Sequence, residues 1–326
     1  MLIIMATYNG ARFVEEQVSS IQNQTYRDWI LLVRDDGSSD GTRQQIASFA
    51  QQDRRIRLLA DDLGNQGAIG NFAVLMETAL GMGTDYLFFA DQDDVWLPEK
   101  LSVMLFAMEA LECAHGEGVP LLTHCDLAVV DEQLRCIAAS FMKYSSLSPA
   151  TADLGVLLSQ NQVTGCACMI NRKLLELACP VPREVLMHDW WLALLAAAGG
   201  KIGYVPMPLV KYRQHAGNVL GAVTFRQRLW QLLRSWRQWE QHIKTIKGGI
   251  WQSRLLAERF GGREAALPAG VIEQIETYAR ILEIRPARRA SMLRRHGIGK
   301  SVLRTGWVFA ILIALMRNDA GSKRVA

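Results

Sequence analysis

The feature that most constrains this chain is an alternation in its first 115 residues. Short apolar runs at 2–6, 29–33, 56–59 and 86–90 each read as a strand. Between them, residues 11–23, 42–50 and 67–80 carry helical spacing, and Pro98 opens a further helix with the stripe Leu101, Leu105, Met108. In 67–80 the stripe is Phe72, Leu75, Met76 and Ala79. Apolar strands separated by amphipathic helices predict an α/β fold, with a doubly wound and mostly parallel sheet. Beyond residue 121 the pattern loosens. Strands are expected at 121–130 and 163–170, a helix at 188–198, and a closing pair of short strands at 201–205 and 209–212.

In such sheets ligands bind beyond the carboxyl ends of the strands. Three polar clusters fall there: Thr7-Tyr8-Asn9-Gly10, then Asp35 to Gly41, then Asp91-Gln92-Asp93-Asp94. Carboxylates this crowded repel one another unless a cation or hydrogen-bond donors neutralise them. A hard divalent cation prefers oxygen ligands and bridges well to a diphosphate. On an extended segment Asp91 and Asp93 point the same way and Asp94 points elsewhere. The bland alternative is an acidic turn that caps the helix at Pro98.

Charge divides the chain. From 225 to 326 there are 20 Lys/Arg against 7 Asp/Glu, leaving 16 against 25 in the front part. This predicts a catalytic domain over 1–224 and a basic, Trp-rich helical extension over 225–326, with a break near Gly261-Gly262 and Leu267-Pro268. Six scattered cysteines with no CxxC pair read as reduced cytosolic thiols, without disulfides or structural zinc. The first residues lack a basic n-region and a cleavage site, so no signal peptide is expected. Residues 306–316 are nearly all apolar, flanked by Arg304 and Arg317. Eleven helical residues reach about 16 Å, too short to cross roughly 30 Å of hydrocarbon. The segment reads either as a helix lying in a membrane interface or as a buried C-terminal helix.

The strings MATYNG, VRDDGSSDGT, FFADQDDVWLPEK, HDWW and YRQH, in that order, resemble glycosyltransferase family 2, with inverting enzymes of the GT-A fold. The resemblance covers roughly residues 1–220 and is nearest to the rhamnosyltransferase-like branch of bacterial polysaccharide assembly, where DQDDVWLP is familiar. It implies a nucleotide-sugar donor, with dTDP-L-rhamnose as the best guess and a UDP-hexose as the alternative. It also implies a Mg²⁺ or Mn²⁺ cofactor and a glycan or lipid-linked acceptor. By the same resemblance Thr7, Tyr8 and Asn9 border the nucleotide, Asp36 meets the base, and Asn71 lies nearby. Asp91 serves ribose and metal, Asp93 is the metal aspartate, and Asp94 faces the donor sugar. His215 is an added metal ligand or diphosphate contact, and Arg213 neutralises diphosphate charge. Gly165 allows a close backbone approach to donor or acceptor.

Relatives often carry a cation where this chain has Gly70, which turns attention to Arg34 as a substitute. Asp189 matches the base that takes the acceptor proton. It also reads as an N-cap, and it can be both. The usual glutamate before it is His188 here. Trp96 and Trp190 either stack on sugars or pack in the core.

A nucleotidyltransferase would carry an Arg/Lys-containing triphosphate loop after the first strand, which 7–10 lacks. A nucleic-acid binder would exploit the basic tail, yet no recognition motif accompanies that charge. The expected partners are therefore donor, acceptor and the cytoplasmic surface of the inner membrane, with no nucleic acid. Self-association through the C-terminal helices is left open.

Overall fold

A computed structural model describes residues 1–148, 153–215, 236–261, 267–301 and 303–316. The chain forms two compact units. The first comprises Met1–Met142, Val163–Val181 and Gly200–Ala222, and the second Lys143–Gln162, Pro182–Gly199 and Val223–Ala326. The basic tail thus shares its unit with two segments that precede residue 224.

The first unit is built on one mixed sheet. Its strands are β1 (Leu2–Thr7), β2 (Ile30–Asp35), β3 (Ile56–Leu58), β4 (Tyr86–Ala90), β5 (Val95–Trp96), β6 (Leu121–Val130), β7 (Cys136–Ala138), β8 (Cys168–Asn171) and β9 (Lys201–Arg213). They lie in the order β3-β2-β1-β4-β8-β6-β9-β5, with β7 paired to β6. β1, β2, β3 and β4 are mutually parallel, and β8 is antiparallel to both β4 and β6. The central strands are covered on both faces, which is why β1 and β4 read as unbroken apolar runs. Helices α1 (Val14–Gln22), α2 (Thr42–Gln52), α3 (Gly67–Gly81) and α4 (Lys100–His115) follow β1, β2, β3 and β5. The predicted stripe Phe72, Leu75, Met76, Ala79 is the buried face of α3.

Two expectations are corrected. The strand foreseen at 163–170 opens with a 3₁₀ turn over Gly165–Ala167, and only Cys168–Asn171 is strand. The two short strands foreseen at 201–205 and 209–212 are one strand, β9. Pro206 and Pro208 suggested a break because proline cannot donate to a ladder. The chain accommodates them with register shifts on either side of Asp126, where Cys125 pairs with Val205 and Asp126 with Pro208.

In the second unit, α6 (Leu154–Ser159) is capped by Asp153, which accepts from the Val156 N–H at 2.9 Å. α8 (His188–Gly199) is buried almost throughout. The tail adds α9 (Trp236–Phe260), α10 (Ala269–Ala279), α11 (Pro286–Arg295) and α12 (Leu303–Leu315); a short α5 (Phe141–Tyr144) and α7 (Arg172–Ala178) complete the helices described. The expected break after Gly261 falls where α9 ends, although 262–266 lie outside the described residues. Among the described residues no helix is long and apolar enough to cross a membrane.

Candidate active site

The loops leaving β1, β2 and β4 are stitched together by side chains acting on backbone. Tyr8 N–H donates to Gln92 Oε1 at 2.8 Å, and Gln92 Nε2 returns a bond to Tyr8 O at 3.0 Å. This couples the first rim loop to the acid loop. Asn9, at φ +48°, donates its N–H to Ser38 Oγ and accepts from the Ser39 N–H. Gly10 N–H reaches Thr42 Oγ1, and Ala11 N–H reaches Asp40. Thr7 is buried, and its hydroxyl donates to Asp35, which also holds the Ser38 hydroxyl and N–H. Of the nucleotide residues expected in this loop, Tyr8 and Asn9 are exposed and Thr7 is buried.

Asp36 is buried and anchors the start of α3. Its two oxygens accept from the Gln66 and Gly67 N–H groups, both at 2.8 Å. Asp40 serves the start of α2, accepting from Thr42 N–H and hydroxyl.

Arg34 does not supply the missing cation. It is 1% exposed and donates to Asp61, Asp36, Asn71 Oδ1 and Gly64 O, which engages all five of its N–H groups. Burial alone would weaken its charge, but the hydrogen bonds to Asp61 and Asp36 outweigh that and raise its pKa. Asn71 is turned toward the sheet in the same network, with its amide on Arg34 O and Thr7 O.

The acid cluster departs from simple alternation. Residues 91–94 turn instead of extending. Asp91 and Asp94 therefore converge, and with Cys166 they place one ligand atom each within 4.8 Å of one another. Asp93 goes elsewhere: its Oδ2 lies 2.7 Å from His215 Nε2, while the His215 ring packs on Phe13 at 4.9 Å between centroids. The two predicted metal residues Asp93 and His215 are thus brought together.

Asp94 is fully buried, so it does not face a sugar as expected. Its Oδ1 accepts from the Arg213 N–H at 3.1 Å, and its Oδ2 has no hydrogen-bond partner. Burial, followed by Asp93 and Asp91, holds this carboxyl well above the usual range. An orphaned carboxylate oxygen beside a second carboxylate fits a cation, and the oxygens suit a hard divalent ion. Cys166 suits one poorly, since burial pushes its thiol up well above the ordinary value.

Arg213 also departs from expectation. Its side chain is 1% exposed. Nε donates to Asp93 O at 2.8 Å, the other donors reach Glu132 O and Glu16, and the guanidinium stacks on Phe13. It braces the acid loop and is not presented to a diphosphate.

The sequence reading missed Lys100. This fully buried ammonium donates to Cys166 O at 2.6 Å and lies 3.2 Å from the centre of the Trp96 ring. Burial lowers its pKa to about 8. Trp96 is core, not a sugar platform. Gly165 is buried in the 3₁₀ turn that carries Cys166.

Asp189 belongs to the second unit. It sits in the first turn of α8 and is largely buried. Its Oδ1 accepts from the Trp190 N–H at 2.6 Å and from Asn161 Nδ2 at 3.0 Å. Trp190 is a core residue whose indole N–H donates to Leu157 O at 2.6 Å, so it does not offer its face to a sugar. Burial lowers the pKa of His188 to about 3, so it stays neutral near pH 7.

Residues 2–117 match the family model described as Glycosyl transferase family 2. The UDP-Glc:alpha-D-GlcNAc-diphosphoundecaprenol beta-1,3-glucosyltransferase WfgD of Escherichia coli is 38% identical over 106 residues, which is 32% of this chain and 40% of that protein. The dTDP-rhamnosyl transferase RfbG of Shigella flexneri is 26% identical over 237 residues, 67% of this chain and 74% of that one. The aligned segment therefore spans less than half of the first relative and about three quarters of the second. Among solved structures, S. aureus TarS 1–349 in complex with UDP superposes with a TM-score of 0.51 at 14% identity, covering 90% of this chain and 89% of that one. That likeness concerns the fold.

Proposed function

We propose that this chain, whose residues 2–117 match glycosyltransferase family 2, transfers a sugar, with inversion, from a nucleotide-sugar to a glycan or lipid-linked acceptor in bacterial surface polysaccharide synthesis. The observation that carries this reading is the rim itself. Three strand-end loops, joined by the Tyr8–Gln92 exchange and by Asn9 with Ser38 and Ser39, border a carboxylate pair that calls for a cation. Mg²⁺ or Mn²⁺ would supply charge neutralisation for the departing diphosphate, held by Asp91 together with Asp94 of that pair or, as the family resemblance has it, with Asp93 and His215. Tyr8 and the backbone of Thr7 and Asn9 border the nucleotide. Asp36 contributes by fixing the start of α3, and the second lone pair of its Oδ2 is its remaining acceptor toward the base. Asp189 takes the proton of the acceptor hydroxyl, with Asn161 and the Trp190 N–H fixing its orientation.

The rhamnosyl donor, dTDP-L-rhamnose, is favoured by RfbG, whose similarity runs over two thirds of the chain. A UDP-hexose donor is favoured by WfgD, whose identity is higher over a shorter stretch. The lipid-linked acceptor named for WfgD supports action at the cytoplasmic face of the inner membrane. The test is a donor panel on purified protein with Mn²⁺ or Mg²⁺, reading diphosphate release with and without chelator. One donor should turn over in a chelator-sensitive way, and Asp189→Asn should abolish transfer while leaving donor affinity unchanged. Turnover insensitive to chelator would remove the metal from the reading. Near-normal transfer by Asp189→Asn would place the base elsewhere.

A further inference from the structure

Helix α12 is apolar on two opposite faces. Phe309, Ile313 and Met316 are buried, with Phe309 against Tyr278 at 6.3 Å between ring centroids. Trp307, Val308, Ile311 and Leu315 are exposed, Trp307 by 64% and Leu315 by 76%. Their spacing places all four within about a 100° arc of the helix. A soluble helix ordinarily carries polar residues there, and a contiguous exposed apolar stripe marks an interaction surface.

The charge around the stripe says what covers it. From 284 to 318 the sequence holds eight Lys/Arg and no Asp/Glu. Arg285, Arg288, Arg294 and Arg295 are exposed, and the Arg294 guanidinium lies 5.7 Å from the centre of the Trp307 ring. Arg289 is the exception. It is buried and donates to Ile313 O and Met316 O, so it ties the end of α12 to α11 and holds the stripe in place. Exposed Trp and aliphatic side chains beside arginines match a bilayer surface, where acyl chains accept the apolar groups and anionic headgroups the guanidinium groups.

We propose that the exposed face of α12, with the arginines of α11, docks on an anionic lipid bilayer in a shallow, in-plane manner. The inference adds the anchoring element to the proposed membrane-surface activity and rests on that reading only for its purpose, since the surface itself is independent of the transfer chemistry.

The test is co-sedimentation of the full chain with vesicles of equimolar phosphatidylglycerol and phosphatidylcholine, against phosphatidylcholine alone. Binding should favour the anionic vesicles and weaken with salt. Arg294→Gln with Arg295→Gln should cost about fivefold per arginine. Ile311→Ser with Leu315→Ser should cost roughly tenfold per side chain. All four positions are exposed, so melting temperatures should stay at the wild-type value. Vesicle binding unchanged in both double variants would overturn the proposal. So would a stable dimer in solution that the Ile311/Leu315 variant dissociates, which would assign the stripe to a second copy. Binding to duplex DNA as tight as to vesicles, and lost in the arginine variant alone, would assign the charge to nucleic acid. Diphosphate release without vesicles is measured in parallel. Intact turnover with no vesicle binding defeats the docking surface alone, whereas vesicle binding with no turnover on any donor defeats the glycosyl-transfer reading alone.

Discussion

Arg213→Met offers a direct test of how the acid loop is held. The guanidinium donates to the carbonyls of Asp93 and Glu132 and pairs with Glu16. Methionine fills much of the volume but leaves both carbonyls without their donor. Each orphaned acceptor costs about 1–3 kcal/mol, toward the lower end here because both residues are only partly buried. The Glu16 pair adds little, since that carboxylate is 55% exposed and screened. The bond from the Arg213 N–H to Asp94 belongs to the backbone and survives. The sum is about 2–4 kcal/mol, or a fall in melting temperature on the order of 10 °C for a unit of this size. Arg213→Lys restores one donor and should fall between the two. Because the loop carries the proposed metal residues, half-maximal activity should require roughly tenfold more Mn²⁺. The assay is thermal denaturation by circular dichroism, paired with Mn²⁺ titration of diphosphate release. A melt within about 2 °C of wild type would refute the reasoning, because water would then be replacing the guanidinium at both carbonyls.

Two further perturbations follow from buried geometry. A Cβ at position 10 would lie 2.2 Å from Gln92 Oε1, so Gly10→Ala should swing that amide away, break its exchange with Tyr8 and weaken nucleoside-diphosphate binding roughly tenfold by titration calorimetry. Gln92→Ala should match it, and unchanged affinity in both would separate the clamp from the nucleotide. Burial depresses the pKa of His124 from its ordinary 6.5 to about 4. Between those values the unfolded chain binds a proton that the folded chain refuses, so stability falls as pH drops through that window, by on the order of 3 kcal/mol, and is flat above it. His188, also held neutral by burial, titrates across the same window, so His124→Leu should reduce the slope of urea-unfolding free energies there by about half, and an unaltered slope would assign the dependence to other groups.

The wound sheet was legible because parallel strands covered on both faces must be apolar along their whole length, as β1 and β4 are. The closing strand was not legible, because its prolines look like a stop until a partner strand absorbs them in a shifted register. The site divides in the same way. Its location at three strand ends follows from local pattern, and so does the nearness of Asp93 to His215 once the motifs are recognised. What each polar residue does there depends on distant partners. Arg34 and Arg213 are typical surface residues in sequence, yet each gives most of its donors to groups far along the chain. Lys100 is a buried cation that no periodicity signals. The pairing of Asp91 with Asp94 required knowing that the acid segment turns, which alternation along an extended strand does not predict.

The Gln92 amide has a meaning beyond joining two loops. β1 and β4 are parallel neighbours, paired as far as Met5 and Ala90, and the chains then diverge. By giving one bond to Tyr8 and taking one back, a side chain imitates the next rung of the ladder where the backbones no longer meet. The sheet is thereby lengthened in its mechanical effect by a step. Loops that would otherwise sample many arrangements inherit the stiffness of the strands behind them. A nucleotide arriving at that edge meets a surface whose ordering entropy was lost during folding, so little remains to be lost on binding.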